Sequence, residues 1–497
     1  MRKLVLVPAF LALLGPPAFA ITCPAKGGSE WREYRTAHFL LDSDMSRFKV
    51  ESLVKELETL HGMVLRGLYG EGVEIPARIR VVAPSSPGDF KTLAGDSNVG
   101  AYFKAGWSGA AVIVLPVVGS QASRDVVAHE LAHVLSHFQF PEQPSWFSEG
   151  LAGFFETVAR REEQRQESQF SHIVRGSSTM GGGVGLMPLN FMQEFSENAG
   201  HVPVRELFEW RGEESRGAPG RFHLSSWLLY HWLWNQRSAK FDDYQKRLAD
   251  GDDPAAAWKA AFPEYDPANP DSLAALDVEL SRYGKSARYA FYKVSATPDT
   301  KMSDTLLSSA DVHLLLLEAR LNWPDSREAL IRAELDEALA EDPWNTEALV
   351  QRARLDGKEP PIEKLRASAD TRKGDYRAWL ALAGSTRNDD ERRLAYQKAV
   401  ELNPESARAQ EGVARALTAE GRAREALPFA NRALDLEPWN PSMVEALALA
   451  AHRLGKCVEA VKLERRAVRM WSRSDAAPAD IAGRVAALES GCKPAAK

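Results

Sequence analysis

The chain has 497 residues, of which 44% are hydrophobic and 26% are charged, and its formal net charge is −6. This composition is that of a globular protein with room for two or three domains. The sequence contains no basic stripe, which argues against a nucleic-acid partner. Three cysteines are too few for a disulfide scaffold.

The N-terminal residues 1–20 predict a secretory signal peptide. Arg2 and Lys3 precede an apolar run, and Ala18-Phe19-Ala20 has the A-x-A form of a cleavage site. The run is interrupted by prolines, and no later stretch reaches the roughly 18 apolar residues of a membrane helix. We therefore expect an exported protein, periplasmic or secreted after cleavage near Ala20, with no membrane span in the mature chain.

Residues 31–115 predict the sheet and the first helix of a domain that covers residues 21–295. Apolar residues recur at helical spacing over 45–69, and the glycines that follow end this helix. Residues 78–82 alternate as a strand does, and residues 101–103 and 111–115 predict a hairpin across a glycine-containing turn.

The segment 123–156 is the most informative part of the chain. Its first half has helical periodicity with Ser123 as a candidate N-cap, and it contains His129-Glu130-Leu131-Ala132-His133. Positions i and i+4 share one helix face, so His129 and His133 can hold one metal ion. Glu130 lies beside that ion, where it suits a base that takes a proton from the attacking water.

A second helix supplies the third candidate ligand. The first helix should end near Pro141 and the second should begin near Ser145, which brings Glu149 back over the first helix. Catalytic zinc usually has three protein ligands, and a carboxylate suits its charge. Glu156 lies on the same face as Glu149, two turns later, and could accept a hydrogen bond from a ligating histidine.

These motifs resemble those of the gluzincin clan of zinc metallopeptidases. His129-Glu130-x-x-His133 followed by Trp146-Phe147-x-Glu149-Gly150-Leu151-Ala152 is most similar to the bacterial peptidase-MA-like family. The resemblance implies one Zn²⁺ per chain, a catalytic Glu130 and hydrolysis of peptide bonds. It also implies an α+β fold, with a thermolysin-like peptidase domain made of a mixed sheet and a helical subdomain. The metzincin pattern is absent, because Ser136 and Gln139 stand where it needs glycine and histidine.

Several interpretations stay open within this domain. The motif could be a plain helix with two partly buried histidines. The strands before it could include an edge strand that pairs with substrate, as the resemblance implies, or could be core sheet. His137 is a surface or supporting histidine. The glycine-rich segment 177–186 lacks a phosphate-loop ending and is either a flap over the cleft or a disordered surface loop.

Residues 221–235 predict a strongly apolar helix that carries His223 and Tyr230. In similar peptidases an equivalent helix carries a tyrosine or histidine that hydrogen-bonds the developing oxyanion, and the register assigns this role to His223. Tyr230, seven residues later on the same face, is the alternative donor. His223 could instead simply bond nearby backbone at the start of the helix.

From residue 300 to about residue 490 the sequence predicts an all-α solenoid of tetratricopeptide type. The pairs that carry the period of 34 residues are Gly421 and Gly455, Ala426 and Ala460, Ala399 and Ala433, and Pro404 and Pro438. Earlier units at 309–343 and 377–404 are degenerate. Such a solenoid presents a groove for a peptide or partner protein, or serves as a structural appendage. Export permits one disulfide, for which we expect Cys457–Cys492.

Two functions are compatible with these features. The first is an exported zinc metallopeptidase that acts on a peptide or protein and uses its repeats to dock substrate or partner. The second is an inactive peptidase-like adaptor that binds protein partners through its repeats. The intact set His129, Glu130, His133 and Glu149 favours the first, because an adaptor does not need the base.

Overall fold

The structure is a computed structural model, and it describes residues 21–95, 100–105, 111–116, 121–158, 183–187, 200–210, 219–286, 289–321, 327–473 and 477–492. The predicted signal peptide and most of the glycine-rich segment lie outside these residues. Within them the chain is mostly helical, with a small mixed sheet. No described helix combines the length and apolar character needed to cross a membrane.

The described strands are short and build one six-stranded sheet and one two-stranded sheet. They are β1 (Arg32–Arg35), β2 (Phe39–Ser43), β3 (Ile79–Ala83), β4 (Tyr102–Ala105), β5 (Ala111–Val114), β6 (Gly183–Val184), β7 (Tyr292–Lys293) and β8 (Ser303–Leu306). The larger sheet has the order β4-β5-β3-β2-β1-β8, and β6 pairs with β7. Strands β2, β3 and β5 are parallel, whereas β1, β4 and β8 run antiparallel to their neighbours. The predicted hairpin is confirmed, with Tyr102 opposite Val114.

Nine helices accompany this sheet in the described part of residues 21–295. They are α1 (Arg47–Tyr69), α2 (Pro87–Ala94), α3 (Gln121–Gln139), α4 (Ser145–Glu156), α5 (Val204–Glu209), α6 (Pro219–Gln236), α7 (Ser238–Ala249), α8 (Pro254–Ala261) and α9 (Pro270–Ser286). Alternate residues of the sheet face two different cores. Val81 packs with α1 and α3 in the main core, and Val82 packs in a smaller core on the opposite face.

The sheet extends past the domain boundary that the sequence suggested near residues 295–300. Strand β8 pairs with β1, so Tyr34 lies opposite Asp304. The next helix, α10 (Ser309–Ala319), buries Val312 and Leu315 in the small core with Val82. Helix α10, the first helix of the degenerate unit 309–343, therefore packs on the face of the sheet opposite the main core. It also connects the sheet to the helical half.

The helical half consists of successive antiparallel pairs. Its helices are α11 (Arg327–Glu341), α12 (Thr346–Leu355), α13 (Ile362–Thr371), α14 (Tyr376–Ser385), α15 (Asp389–Leu402), α16 (Ala407–Ala419), α17 (Ala423–Leu436), α18 (Pro441–Arg453), α19 (Cys457–Trp471) and α20 (Ile481–Gly491). Helices α16 and α18 begin 34 residues apart, at 407 and 441, and α17 and α19 begin 34 apart, at 423 and 457. Gly421 and Gly455 both adopt positive φ in the intervening turns. The predicted Cys457–Cys492 disulfide is present and joins α19 to the end of α20.

The two halves contact each other close to the loop between α3 and α4. Glu142 in this loop is only 3% exposed. Its carboxylate accepts hydrogen bonds of 3.0 and 2.9 Å from Arg469 of α19, and Arg466 Nε lies 3.6 Å away. Next to this ion pair, Trp439 packs edge-on against Phe138 at 5.0 Å between ring centroids. A buried acid and two arginines thus connect the last complete repeat to this loop.

A second buried acid lies within the repeats. Glu437 is 6% exposed, and burial is the main cause that raises its pKa to about 7. Asn440, which donates a 2.8 Å hydrogen bond to its carboxylate, and Arg408 lower this pKa, while Glu411 raises it further. The folded chain therefore keeps a proton on Glu437 at pH values where an unfolded glutamate, with a pKa of about 4.3, has lost it.

This difference predicts that Glu437 lowers stability as the pH rises. Between about pH 4.3 and 7 the native state binds more protons than the unfolded state, so stability falls across this window and stays low above it. Glu437→Gln carries no ionisable group and can still accept the Asn440 hydrogen bond. We expect it to match wild type at pH 4 and to be more stable at pH 8, by on the order of 2–3 kcal/mol. Melting temperatures at both pH values test this.

The exposed glutamate Glu401 provides the control. Glu401→Gln should follow wild type at both pH values. An equal effect of the two substitutions, or a Glu437→Gln protein that gains nothing at pH 8, would contradict the buried protonated acid.

Candidate metal centre

Helix α3 presents two histidines on one face. It begins at Gln121, so the predicted cap Ser123 lies inside the helix. Val127, Leu131 and Leu135 are at most 1% exposed and attach the helix to the main core. His129 and His133 lie one turn apart on another face, with ring centroids 4.7 Å apart.

Helix α4 starts at Ser145, as predicted, and returns over α3. Glu149 Oε2 lies 3.3 Å from His129 Nε2 and 3.6 Å from His133 Nε2. A tetrahedral metal with bonds of about 2.0–2.2 Å separates its ligand atoms by about 3.3–3.6 Å. The three ligand atoms lie within 4.8 Å of one another, and Glu149 Oε2 is buried without a hydrogen-bond donor. This donor set fits a divalent cation such as zinc.

The outward nitrogens of both histidines are engaged. His129 Nδ1 lies 3.4 Å from Glu156 Oε2, and His133 Nδ1 lies 2.9 Å from Ser148 Oγ. These contacts leave both Nε2 atoms directed at Glu149, which is the arrangement that supporting groups give to ligating histidines. Glu156 therefore occupies the position that the sequence predicted. Ser148 was missed, although it directly precedes Glu149 in the motif.

The charges of the cluster depend on one another. Burial alone would lower the pKa of His129, but the Glu149 and Glu156 carboxylates raise it well above its ordinary value. Burial alone would raise the pKa of Glu149, but His133 and His129 bring it well below its ordinary value. The cluster thus holds Glu149 as an anion, which is the form that binds a cation.

Glu130 lies between α3 and the edge of the sheet. Burial raises the pKa of its carboxyl, and the neighbouring His133 and His129 oppose this rise. The backbone of Phe103 also acts to lower this pKa. Phe103 belongs to β4, which is the end strand of the sheet among the described residues, and its ring lies 6.5 Å from that of His133. A half-buried carboxylate with a raised pKa is a candidate general base.

His223 of α6 is the third histidine that lies close to Glu149, after His129 and His133. Its Nε2 lies 3.6 Å from Glu149 Oε2, and the side chain is 39% exposed. Burial lowers the pKa of its imidazole, while Glu149 acts in the opposite direction. A half-exposed histidine with a lowered pKa is mostly neutral, and its ring N–H can donate a hydrogen bond to a molecule that binds beside Glu149.

Tyr230 does not join the cluster, which corrects its assignment as the alternative donor. It shares a helix face with His223, but two turns separate them by about 10 Å along the axis. Its ring packs against Phe147 and Phe241, and its hydroxyl lies 3.3 Å from Gln245 Nε2. Tyr230 therefore has a packing role between α4, α6 and α7.

His137 also lies outside the cluster. Its Nδ1 contacts the carbonyl of His133 at 2.6 Å and Gln143 Nε2 at 3.0 Å. Burial lowers its pKa to about 4. It is a partly buried histidine that bonds the end of α3 to the following loop.

Comparison with known proteins adds little to this geometry. No protein-family model and no curated protein matches the chain. A thermophilic TPR protein of Thermus thermophilus, TTC0263, is 20% identical over 33% of this chain and 92% of its own, with a TM-score of 0.27. Two structures of MamA are each 19% identical, cover 33% and 31% of this chain and 92% and 98% of their own, and have TM-scores of 0.24 and 0.25. TM-scores this low support no conclusion about this chain. The evidence for the repeat architecture is therefore the 34-residue spacing between the starts of successive helix pairs.

The approach of α4 to α6 yields a prediction. A Cβ atom on Gly150 would lie 2.5 Å from the Ser226 carbonyl oxygen and 2.8 Å from Tyr230 Cβ. Both are parts of α6 that cannot move independently, so Gly150→Ala should separate the helices and destabilise the protein by on the order of 1–3 kcal/mol. A lowered melting temperature would show this.

The matched control is Gly483→Ala in α20, where an added Cβ meets nothing within 4 Å. It should leave stability unchanged or slightly raise it, because alanine favours a helix more than glycine does. If Gly150→Ala and Gly483→Ala had the same melting temperature, the space between α4 and α6 would accommodate a Cβ atom at residue 150, which would contradict the prediction.

Proposed function

We propose that the chain is a zinc-dependent metallopeptidase in which His129, His133 and Glu149 hold the ion. The observation that carries the proposal is the convergence of two Nε2 atoms on Glu149 Oε2 at 3.3 and 3.6 Å, with the Nδ1 atoms bonded elsewhere. When bound, Zn²⁺ supplies Lewis acidity, which polarises a carbonyl and lowers the pKa of water.

Glu130 is the proton carrier in this proposal. It sits next to the ligands without being one, and its raised pKa suits a group that accepts a proton and then returns it. Its carboxylate takes the proton of the attacking water and passes it to the leaving amine. His223 Nε2, on the exposed side of Glu149, donates a hydrogen bond to the oxygen on which negative charge develops.

Strand β4 supports a peptide as the substrate. Strand β4 lies at one end of the described six-stranded sheet, and the Phe103 backbone is close enough to Glu130 to lower the pKa of that carboxyl. An extended peptide that adds to this edge would lie beside Glu130.

We also propose export and a docking role for the repeats. The signal-like residues 1–20 and the Cys457–Cys492 disulfide both agree with an oxidising compartment. The stacked helix pairs form the kind of extended surface that binds a peptide or a partner protein.

The second candidate function is an inactive adaptor. The repeats alone favour it, since helix pairs in 34-residue register are an interaction scaffold whether or not the other half is catalytic. Such an adaptor would bind a protein partner and hydrolyse nothing.

The ligand set predicts the behaviour of Glu149→Ala. Removal of one of three protein ligands should lower the zinc content of purified protein by about one ion per chain relative to wild type. Elemental analysis measures this directly. Full retention of zinc in the variant would mean that Glu149 does not ligate it.

Ser148→Ala, which removes only the partner of His133 Nδ1, should weaken zinc affinity by on the order of 10–100-fold.

The proton carrier predicts the behaviour of Glu130→Gln. The amide keeps the size of the side chain but cannot accept the proton, so cleavage of a peptide library should slow by on the order of 10²–10⁴-fold. Zinc content should stay at the wild-type level.

His223→Phe should slow turnover by on the order of 10²-fold. Tyr230→Phe is the control, because its hydroxyl contacts Gln245, and it should cleave at the wild-type rate.

Rates and zinc content must be compared at equal metal loading. Equal turnover of wild type and Glu130→Gln would exclude the proposed mechanism. Absence of cleavage by wild type, together with binding of a partner to the repeats, would favour the adaptor.

A further inference from the structure

A second group of potential ligands lies on the opposite side of the sheet. It comprises Cys23, His313 and Glu334, which we call the Cys23 cluster. Cys23 precedes a short turn at Pro24–Lys26, His313 lies on α10 and Glu334 lies on α11. Cys23 packs in the small core that contains Val82, whereas α3 packs in the main core. The Cys23 cluster is therefore separate from the metal centre of α3 and α4.

The ligand atoms of the Cys23 cluster converge on one side of the imidazole. Cys23 Sγ lies 3.3 Å from His313 Nδ1, and Glu334 Oε2 lies 2.5 Å from the same nitrogen. The thiol also lies 3.9 Å from the Ile21 carbonyl oxygen. A zinc ion bound by a thiolate and an imidazole separates S and N by about 3.5 Å. All three ligand atoms already lie within 4.8 Å of one another.

The other side of the imidazole faces carboxylates. His313 Nε2 is buried without a hydrogen-bond partner, in a residue that is 2% exposed. Glu341 Oε1 lies 3.5 Å and Glu337 Oε2 3.8 Å from this nitrogen. A metal on Nδ1 would place the proton on Nε2, where Glu341 would orient the ring as supporting carboxylates orient ligating histidines.

The charge around the Cys23 cluster is unbalanced. Three carboxylates surround a single imidazole, and Lys26 pairs with one of them, Glu337. Glu341 Oε2 is buried without a hydrogen-bond partner. With a protonated imidazole the group keeps one net negative charge, and exchange of the thiol proton and the His313 Nδ1 proton for a divalent cation leaves that net charge unchanged, so metal binding adds no charge to the cluster.

We propose that Cys23 Sγ, His313 Nδ1 and the Glu334 carboxylate form a second zinc site. Thiolate and imidazole ligands with one carboxylate are a donor set that zinc prefers. Binding releases the Cys23 thiol proton and the proton on His313 Nδ1. The chain then holds two ions, one at each centre.

This site has a structural role. Cys23 and His313 are 290 positions apart in the chain. An ion held by both would join the N-terminal segment to α10 and α11, where the sheet meets the first repeat. Metal that binds only the native arrangement adds its binding free energy to folding.

The contrasting interpretation is an ion-pair cluster without metal. Burial alone would lower the pKa of His313, but its contacts with Cys23 and Glu334 raise it to about 10, so the imidazole can stay protonated among the carboxylates. Such a cluster would bind no transition metal and would leave the Cys23 thiol protonated.

Cobalt spectroscopy separates the two interpretations. Full-length mature protein with its disulfide intact is titrated with Co²⁺ alone, because a thiolate ligand gives Co²⁺ a strong near-ultraviolet charge-transfer absorption that histidine and carboxylate do not. We expect this absorption in wild type and its loss in Cys23→Ser. The other cysteines are disulfide-bonded and cannot produce it. Glu149→Ala should keep the absorption, since that residue belongs to the first centre.

Zinc content provides the second measurement. Wild type should hold about two ions per chain, and Cys23→Ser and Glu149→Ala about one each. Glu334→Gln preserves thiol and packing, and should weaken Co²⁺ binding at the thiolate site by at least about 10-fold even if Cys23→Ser folds poorly. Absence of the charge-transfer absorption in wild type, or its persistence in Cys23→Ser, would overturn this site. The Cys23 site would also be excluded if Glu149→Ala lost one zinc ion and Cys23→Ser lost none. That result would still support the zinc site at His129, His133 and Glu149.

Discussion

The close approach of α4 and α6 at Gly150 is the contact on which the metal centre depends. Without a side chain at this position, α4 lies directly against the backbone of α6 at Ser226. This brings His223 within 3.6 Å of the same Glu149 oxygen that the two α3 histidines approach. Residues from three helices thus meet at one atom, and the aromatic packing of Phe147 and Tyr230 maintains the spacing behind them.

The polar groups at this meeting point are arranged in two layers. The Nε2 atoms of His129 and His133 and the Glu149 oxygen face inward, while Glu156 and Ser148 contact the outward Nδ1 atoms of the two histidines. Buried ionisable groups destabilise a fold unless they have partners, and here nearly every outward atom has one. The rings are therefore oriented before any ligand arrives, which limits the reorganisation that binding requires.

Local periodicity explains which parts of the site the sequence could predict. His129, His133 and Glu149 follow from two helices and a proline-bounded turn between them, because helical spacing decides which residues share a face. The same reasoning failed for Tyr230, since sharing a face with His223 does not reveal which neighbours cover that face two turns later. Contacts between distant positions, such as Cys23 with His313 or β8 with β1, leave no local pattern in the sequence.

The buried ion pair at Glu142 has a consequence for how such a chain can evolve. The acid belongs to the loop that joins the two ligand-bearing helices, and its bases Arg466 and Arg469 belong to the last complete repeat. Recombination between the two halves would leave an unpaired carboxylate in the loop between α3 and α4 and two unpaired guanidinium groups on the solenoid. Selection should therefore retain the two halves as one inherited unit.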